Sequence, residues 1–362
     1  MRTPPHFADR RPHSHASTTG DTVSLDIPHL HAQFPPRISP FTAQVEESTR
    51  AFVRRFGLVP DEAARRHHER SLLGTLMSRA YPHSGPVELA LVTDWISCML
   101  VLDDQFDETR LGQEPERLRA VCDEVLGWLP ADGTVDERPT ASVDASITRA
   151  FRPAYADLWR RTAPYTSDTW RARLAGHIGA FFDTCVWEAE NRRTGRVPGL
   201  AEYIEHRGRA LMPYLDLIEV TTHAEIPEEV YRLPEFTEMN QALSDADLWT
   251  NDLFSCEKEA LLSDPHNLVL VHRHEHGTDL QTAANAVGAM VQERFDRFTE
   301  LSGSFPGPAL EAELSPAELA MLRRHVEGLR SWLSGQLQWR FETHRFDPSR
   351  LEGSNATGST PL

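Results

Sequence analysis

Two short runs in the 362-residue chain set oxygen-bearing side chains at helical spacing. The first is Asp103-Asp104-Gln105-Phe106-Asp107-Glu108, at the end of an apolar stretch. Asp103 and Asp107 are four residues apart, so they share one helical face. Paired carboxylates on a face suit Mg²⁺, a hard cation that takes oxygen ligands and keeps water and substrate phosphate in its shell. Asp104 falls off that face and is expected to matter less. With 54 acidic residues in the chain, a cluster of this kind arises about once by chance. A solvated helix end is therefore the ordinary alternative. Position argues against it, because carboxylates at a helix C-terminus oppose the macrodipole, and a bound cation would resolve that conflict.

The second run is Asn251-Asp252-Leu253-Phe254-Ser255-Cys256-Glu257-Lys258-Glu259. Asn251, Ser255 and Glu259 follow i, i+4, i+8. An amide oxygen, a hydroxyl and a carboxylate then line one face, and a hard cation accepts all three. Chance places such a triad in about one chain in thirty of this composition. A plain polar stripe is the alternative reading.

The elements that must carry these runs read as helices. Val87–Phe106 is apolar nearly all round, which predicts a buried central helix ending in the acidic cluster. Helical spacing also covers Ser146–Arg161, Ser167–Asn191, Leu200–Val220, Pro234–Leu262, Asp279–Ser302 and Ser315–Phe341. Ser167, Asp279 and Ser315 are the expected starts of three of these. Phe34–Pro40 should be extended, since each proline disfavours helix in its predecessor. Gly127–Ser142 reads as a loop, and no alternating strand pattern is present. The result is an all-α fold: one helical domain over residues 26–346, between disordered tails at 1–25 and 347–362 that are rich in Pro, His, Ser, Thr and Gly.

Composition narrows the partners. A net charge of −17 excludes nucleic acid, whose phosphates favour basic surfaces, yet metal ions allow an acidic protein to hold a phosphorylated ligand. Cys98, Cys122, Cys185 and Cys256 lack any paired spacing, which points to reduced thiols and a cytoplasmic protein. The polar N-terminus is no secretory signal. Leu89–Leu102, the longest apolar stretch, contains Asp94 and is too short for a membrane span. His67-His68-Glu69 does not read as a metal site, because adjacent histidines point to different helical faces and the surrounding residues are charged.

In order and spacing, the two runs resemble the metal-binding motifs of bacterial class I terpene synthases. Further segments extend the likeness. Trp187-Glu188-x-x-Asn191-Arg192 resembles that family's WExxNR stretch. Tyr203-Ile204-Glu205-His206-Arg207 resembles the segment that carries its pyrophosphate-sensing arginine. Trp339-x3-Thr343-x-Arg345-Phe346 resembles its W-x3-T-x-RY ending, and Asn267-Leu268-Val269 and the IPHLHAQFPPRISPF lead-in are similar to family features.

The resemblance implies a helical bundle around a deep apolar central cavity, with both motifs at its mouth and three Mg²⁺ ions holding an isoprenoid diphosphate. Asp103 would be a direct metal ligand and Asp107 a secondary one, with Asn251, Ser255 and Glu259 on another ion. Arg207, Lys258 and Arg345 would contact the leaving group, Arg209 ranking below Arg207. The reaction implied is ionisation of farnesyl diphosphate and cyclisation of the cation to a sesquiterpene hydrocarbon or alcohol. A diterpene cyclase acting on geranylgeranyl diphosphate, or a non-catalytic helical protein that binds such diphosphates, are the alternatives. Self-association as a homodimer stays open.

A carbocation needs a dry wall with aromatic faces. Trp95, Phe181, Phe182, Trp332 and Trp339 are the candidates, core packing being the alternative for each. Two positions depart from the family. Phe346 stands where Tyr is usual, and Ala210 stands where a polar residue often follows the sensing arginine by three.

Overall fold

The computed structural model describes residues 25–59, 61–107, 109–135 and 142–347. Their α-helices are α1 (Thr42–Phe56), α2 (Glu62–Arg70), α3 (Leu73–Ala80), α4 (Pro86–Asp107), α5 (Pro115–Leu126), α6 (Ala145–Thr162), α7 (Asp168–Thr194) and α8 (Leu200–Arg207). Then come α9 (Met212–Thr222), α10 (Glu228–Tyr231), α11 (Pro234–Leu262), α12 (Leu268–His276), α13 (Leu280–Ser304), α14 (Pro308–Glu313) and α15 (Pro316–Arg340). No strand occurs among the described residues. Among the described residues no helix is long and apolar enough to cross a membrane.

The central helix is α4. Its Val92, Trp95, Cys98, Met99 and Leu102 are buried, and α1, α3, α6 and α9 pack around it. The expected starts hold. Ser167 accepts from the Trp170 amide at 3.1 Å, Asp279 from Thr282 at 2.9 Å, and Ser315 forms a reciprocal box with Glu318. Each cap satisfies an amide that the helix leaves orphaned.

The lead-in is extended and lies along α13. Pro28 presses on Gly288, where a Cβ would sit 2.6 Å from the proline ring, so only glycine fits there. Leu25, assigned above to the N-terminal tail, is buried, and its amide donates to Glu257 on α11. Residues 1–24 lie outside the described residues, as do 348–362.

One expected helix is two. Leu200–Val220 breaks after Arg207, and Gly208, Arg209, Ala210 and Leu211 separate α8 from α9. Pro213 accounts for the break: it has no N–H for the Arg209 carbonyl, and its ring would collide with that carbonyl in a continuous helix. Ser244 of α11 donates instead to the buried Gly208 carbonyl at 3.0 Å. Arg207 thus sits at a helix end. Helices α1–α3, α5, α10, α12 and α14 fall outside the spans expected above, although α1 and α5 each bury an apolar face at helical spacing, Val45, Phe52 and Val53 in α1 and Leu118, Val121 and Val125 in α5.

A charged cluster lies buried between α7, α9 and α15. Arg173 bonds Asp216 at 3.2 Å and also Glu219, and its guanidinium lies 4.2 Å from the Tyr231 ring centre. His177 shares the second Asp216 oxygen at 2.6 Å. His325 of α15 is buried nearby; burial, and then the Arg173 charge, push its pKa down to about 3, against a smaller opposing effect of Asp216.

Candidate active site

The first run closes α4 with its carboxylates already engaged. Asp103 is half-buried; burial, and then the like charges of Asp107 and Asp104, push its pKa well above the ordinary range. Asp107 accepts from Arg192 at 2.8 Å. Asp104 accepts two bonds from Arg345, at 2.8 and 3.3 Å. Leaving the Asp103/Asp107 face brings Asp104 to the arginine of the C-terminal motif. Glu108 lies outside the described residues.

Arg345 is held there by its own segment. Trp339 and Thr343, four residues apart, both donate to the Ser71 carbonyl at 2.9 Å, and the Arg345 amide donates to the Thr343 hydroxyl at 3.1 Å. The W-x3-T spacing thus pins the chain after α15 to the α2–α3 turn. Helix α2 is largely solvated, as expected of its charge, except at His68. That ring is buried, and burial together with the Arg345 charge pushes its pKa down to about 4.

The second run lies on α11. Asn251 Oδ1 accepts from Arg207 at 3.0 Å, and Asp252 Oδ1 accepts from the same nitrogen at 2.7 Å. The other Asp252 oxygen accepts from the Tyr203 hydroxyl at 2.8 Å and from the Leu268 amide at 3.0 Å. Ser255 donates to the Asn251 carbonyl at 2.9 Å. Glu259 accepts from the Asn267 amide at 2.6 Å. Burial and Asp252 raise its pKa to about 7, with Lys258, Asn267 and Arg207 opposing. Lys258 is half-buried and is the sole lysine of the chain, every other basic side chain of that class being arginine.

Arg192 joins the two runs. It donates to Asp107 at 2.8 Å, to Asp264 just beyond α11 at 2.9 Å, and to Glu188 at 3.4 Å. Asp264 in turn holds His266, which meets Asn191 at 3.1 Å. Trp187 stacks on His206 with 4.2 Å between ring centres. The WExxNR stretch therefore cross-braces the site, with Glu188 and Arg192 one turn apart on the same face of α7. Glu188 itself is pushed well above the ordinary carboxylate range by burial, with Asp107 and Asp264 adding to it against Arg192.

Does the donor set suit a divalent metal? Among the described residues no three carboxylate, imidazole or thiol groups converge as a metal cage. That agrees with the second run, which contributes one carboxylate beside an amide and a hydroxyl. At the first run the crowding of Asp103, Asp104 and Asp107 leaves negative charge that a cation would relieve. All the donors are oxygens, so the residues fit a hard cation completed by water and phosphate.

The aromatic candidates divide. Trp95 faces α6, donates to Thr162 at 2.9 Å and packs edge-on against Tyr155 and Trp159. Trp339 is likewise spent on the Ser71 contact. Trp332 donates to Asp247 at 3.0 Å and stacks beside Tyr214, whose hydroxyl responds to the Asp103 charge. Phe181 lies one turn before Cys185, whose thiol is pushed up by burial and then by the Asp103 charge, while Phe182 turns to Phe106. Phe346 is half-buried against Trp339 and Phe254. Arg209 pairs with Glu205 at 3.0 Å and borders a concavity of ≈ 320 Å³ that shares no residue with either run.

The structure sets Arg207 beside Asn251 and Asp252 and Arg345 beside Asp104; sequence reasoning left Asp252, Tyr203 and Tyr214 without a role. Asp252 lay inside the motif as written; only its partners reveal its use.

The family model of terpene synthase family 2, C-terminal metal binding, matches residues 94–297, from within α4 to within α13. The chain belongs to this terpene synthase family. Pristinol synthase from Streptomyces pristinaespiralis is 30% identical over 342 residues, covering 94% of this chain and 89% of the relative. Pentalenene synthase from Streptomyces exfoliatus is 30% identical over 333 residues, covering 91% and 95%. Among solved structures, germacradien-4-ol synthase from Streptomyces citricolor superposes with a TM-score of 0.73 at 28% identity, covering 87% of this chain and 98% of that one. The terpene synthase described here thus has the class I helical-bundle fold and is a lyase of the diphosphate-cleaving, metal-dependent kind.

Proposed function

We propose that this terpene synthase ionises farnesyl diphosphate, releases pyrophosphate and cyclises the C15 cation to a sesquiterpene hydrocarbon or alcohol. The observation that carries the reading is the pairing of each metal run with one basic side chain: Asp104 with Arg345, and Asn251 with Arg207. Each guanidinium is stored beside the place where a diphosphate would dock. The relatives support the C15 substrate, since one is named as (2E,6E)-farnesyl diphosphate cyclizing, a (+)-T-muurolol synthase from Roseiflexus castenholzii at 31% identity.

Asp103 and Asp107 would hold Mg²⁺ on one side, and Asn251, Ser255 and Glu259 on the other, with three ions in all. When bound, the ions supply positive charge that stabilises the leaving pyrophosphate. Arg207, Lys258 and Arg345 orient the diphosphate and share its developing charge by charge-assisted hydrogen bonds. Phe181 and Trp332 border the hydrocarbon side, where aromatic faces stabilise a cation without offering a nucleophile. Burial of the surrounding bundle excludes water that would quench it. Four buried thiols agree with action in the cytoplasm.

The test is incubation of purified protein and Mg²⁺ with geranyl, farnesyl and geranylgeranyl diphosphates, followed by gas chromatography–mass spectrometry. Cyclic C15 products are expected. Cyclic C20 products alone would overturn the substrate assignment, and the absence of any terpene would overturn the reaction.

A further inference from the structure

Asn267 is fully buried between the end of α11 and the start of α12, and its carboxamide is used at both ends. The oxygen caps α12, accepting from the Val269 amide at 2.9 Å and the Leu270 amide at 3.4 Å. The nitrogen donates to Glu259 Oε2 at 2.6 Å, to the Asp252 carbonyl at 2.7 Å and to Ser255 Oγ at 3.4 Å. Its neighbour, the Leu268 amide, holds the Asp252 carboxylate that pairs with Arg207.

The residue type is informative. Ser, Thr, Asp and Asn all cap a helix well. Of the four, only Asn adds an N–H₂ group that a carboxylate accepts. Asp would set a like charge against Glu259, and Ser or Thr would be too short to reach it. The choice of Asn therefore answers to Glu259 and Ser255 as well as to α12. An unrestrained Glu side chain retains rotamer freedom, which a ligand must surrender on binding metal.

We propose that Asn267 is the positioning residue of the second metal run, setting Ser255 and Glu259 in ligating orientation before the cation arrives. The proposal rests on the metal-binding reading of that run. It makes the α11–α12 junction part of the metal site. It also explains why the connection from α11 to α12 is short: five residues separate Leu262 from Leu268, and the amide must reach back one helical turn to Glu259.

The experiment uses the full chain with Asn267→Ser and Asn267→Thr, both of which keep a capping oxygen and lose the amide donor. Mn²⁺ binding is followed by electron paramagnetic resonance with inorganic pyrophosphate present, and folding by circular dichroism on the same samples. The expected result is a rise of about tenfold in the Mn²⁺ concentration for half-saturation, equivalent to about 1.4 kcal/mol, with helical signal and Tm close to the parent. Binding equal to the parent in both variants overturns the proposal and leaves Asn267 a helix cap. Binding that falls only in step with the folded fraction overturns it too. If the parent binds no Mn²⁺ while fully folded, the metal reading of the run fails first, a result distinct from any behaviour of the Asn267 variants.

Discussion

Asp252 separates the structural from the catalytic use of the second run. Its carboxylate accepts from Arg207, Tyr203 and the Leu268 amide, so the two oxygens take three donors. The side chain is 1% exposed and that of Arg207 19%, so solvent does little to replace what is lost. In Asp252→Asn, an NH₂ at the Oδ1 position meets the guanidinium, and at the Oδ2 position it meets the Leu268 N–H. Either orientation sets donor against donor and leaves Arg207 without its counter-charge. Removing one partner of a buried pair costs about 3–5 kcal/mol. With an unfolding entropy of about 2.1 cal/mol/K per residue, a domain of this size shifts by about 1.5 °C per kcal/mol. Asp252→Asn should therefore melt about 5–8 °C below the parent. Asn251→Ala removes a half-exposed amide with one bond to Arg207, which Asp252 still holds. It should melt within about 2 °C of the parent while kcat falls about 10²–10³-fold, the scale of losing one electrostatic stabiliser of the transition state. Thermal unfolding by circular dichroism and steady-state kinetics on both variants read the difference. An unchanged melting temperature for Asp252→Asn would refute the argument that this carboxylate anchors Arg207, and equal destabilisation by both variants would refute the division of roles.

Excess chelator should abolish turnover and added Mg²⁺ restore it; product formation that persists under chelation would contradict the metal assignment. Amine-directed acylation should modify one lysine side chain, Lys258, and inactivate the enzyme; peptide mass spectrometry should show slower modification with Mg²⁺ and pyrophosphate present, and equal rates would remove Lys258 from the diphosphate site. Phe346→Tyr adds a donor beside Arg345, and a hydrogen bond to a charged group contributes about 1.5–3 kcal/mol, so KM should fall or kcat rise with the same products; altered products at unchanged rates would place residue 346 on the hydrocarbon wall. The buried His325 resists protonation until about pH 3, whereas an unfolded histidine titrates near ~6.5. Its contribution is intact above that value and is lost as pH falls, by about 2 kcal/mol at about pH 5. The Tm of the parent should thus drop further than that of His325→Leu between pH 7 and 5, and parallel drops would show that His325 is not the group responsible.

The amino-acid sequence alone was enough for the helical class, for α4 and α11 nearly to the residue, and for placing the two oxygen-bearing runs on those helices. Those features depend on spacing along one helix, where 3.6 residues per turn makes position equivalent to direction. The break between α8 and α9 was legible in part, since Gly208 and Pro213 bracket it, yet apolar periodicity carried through and masked it. Helix α12 was not legible, because a short helix with mixed faces depends on its cap and neighbours for stability.

The tertiary structure alone decided the partners. That Asp104 meets Arg345 across 241 positions, and that Arg192 ties Asp107 to Asp264, follows from how separate helices pack, and no local pattern encodes it. The same holds for Trp95, an aromatic side chain on a central helix whose partners Thr162, Tyr155 and Trp159 lie on α6. The physical reason is one of range. Hydrogen-bonding spacing within a helix is fixed by backbone geometry, whereas the face a helix shows to another is set by the sum of many weak packing contacts distributed over the whole chain.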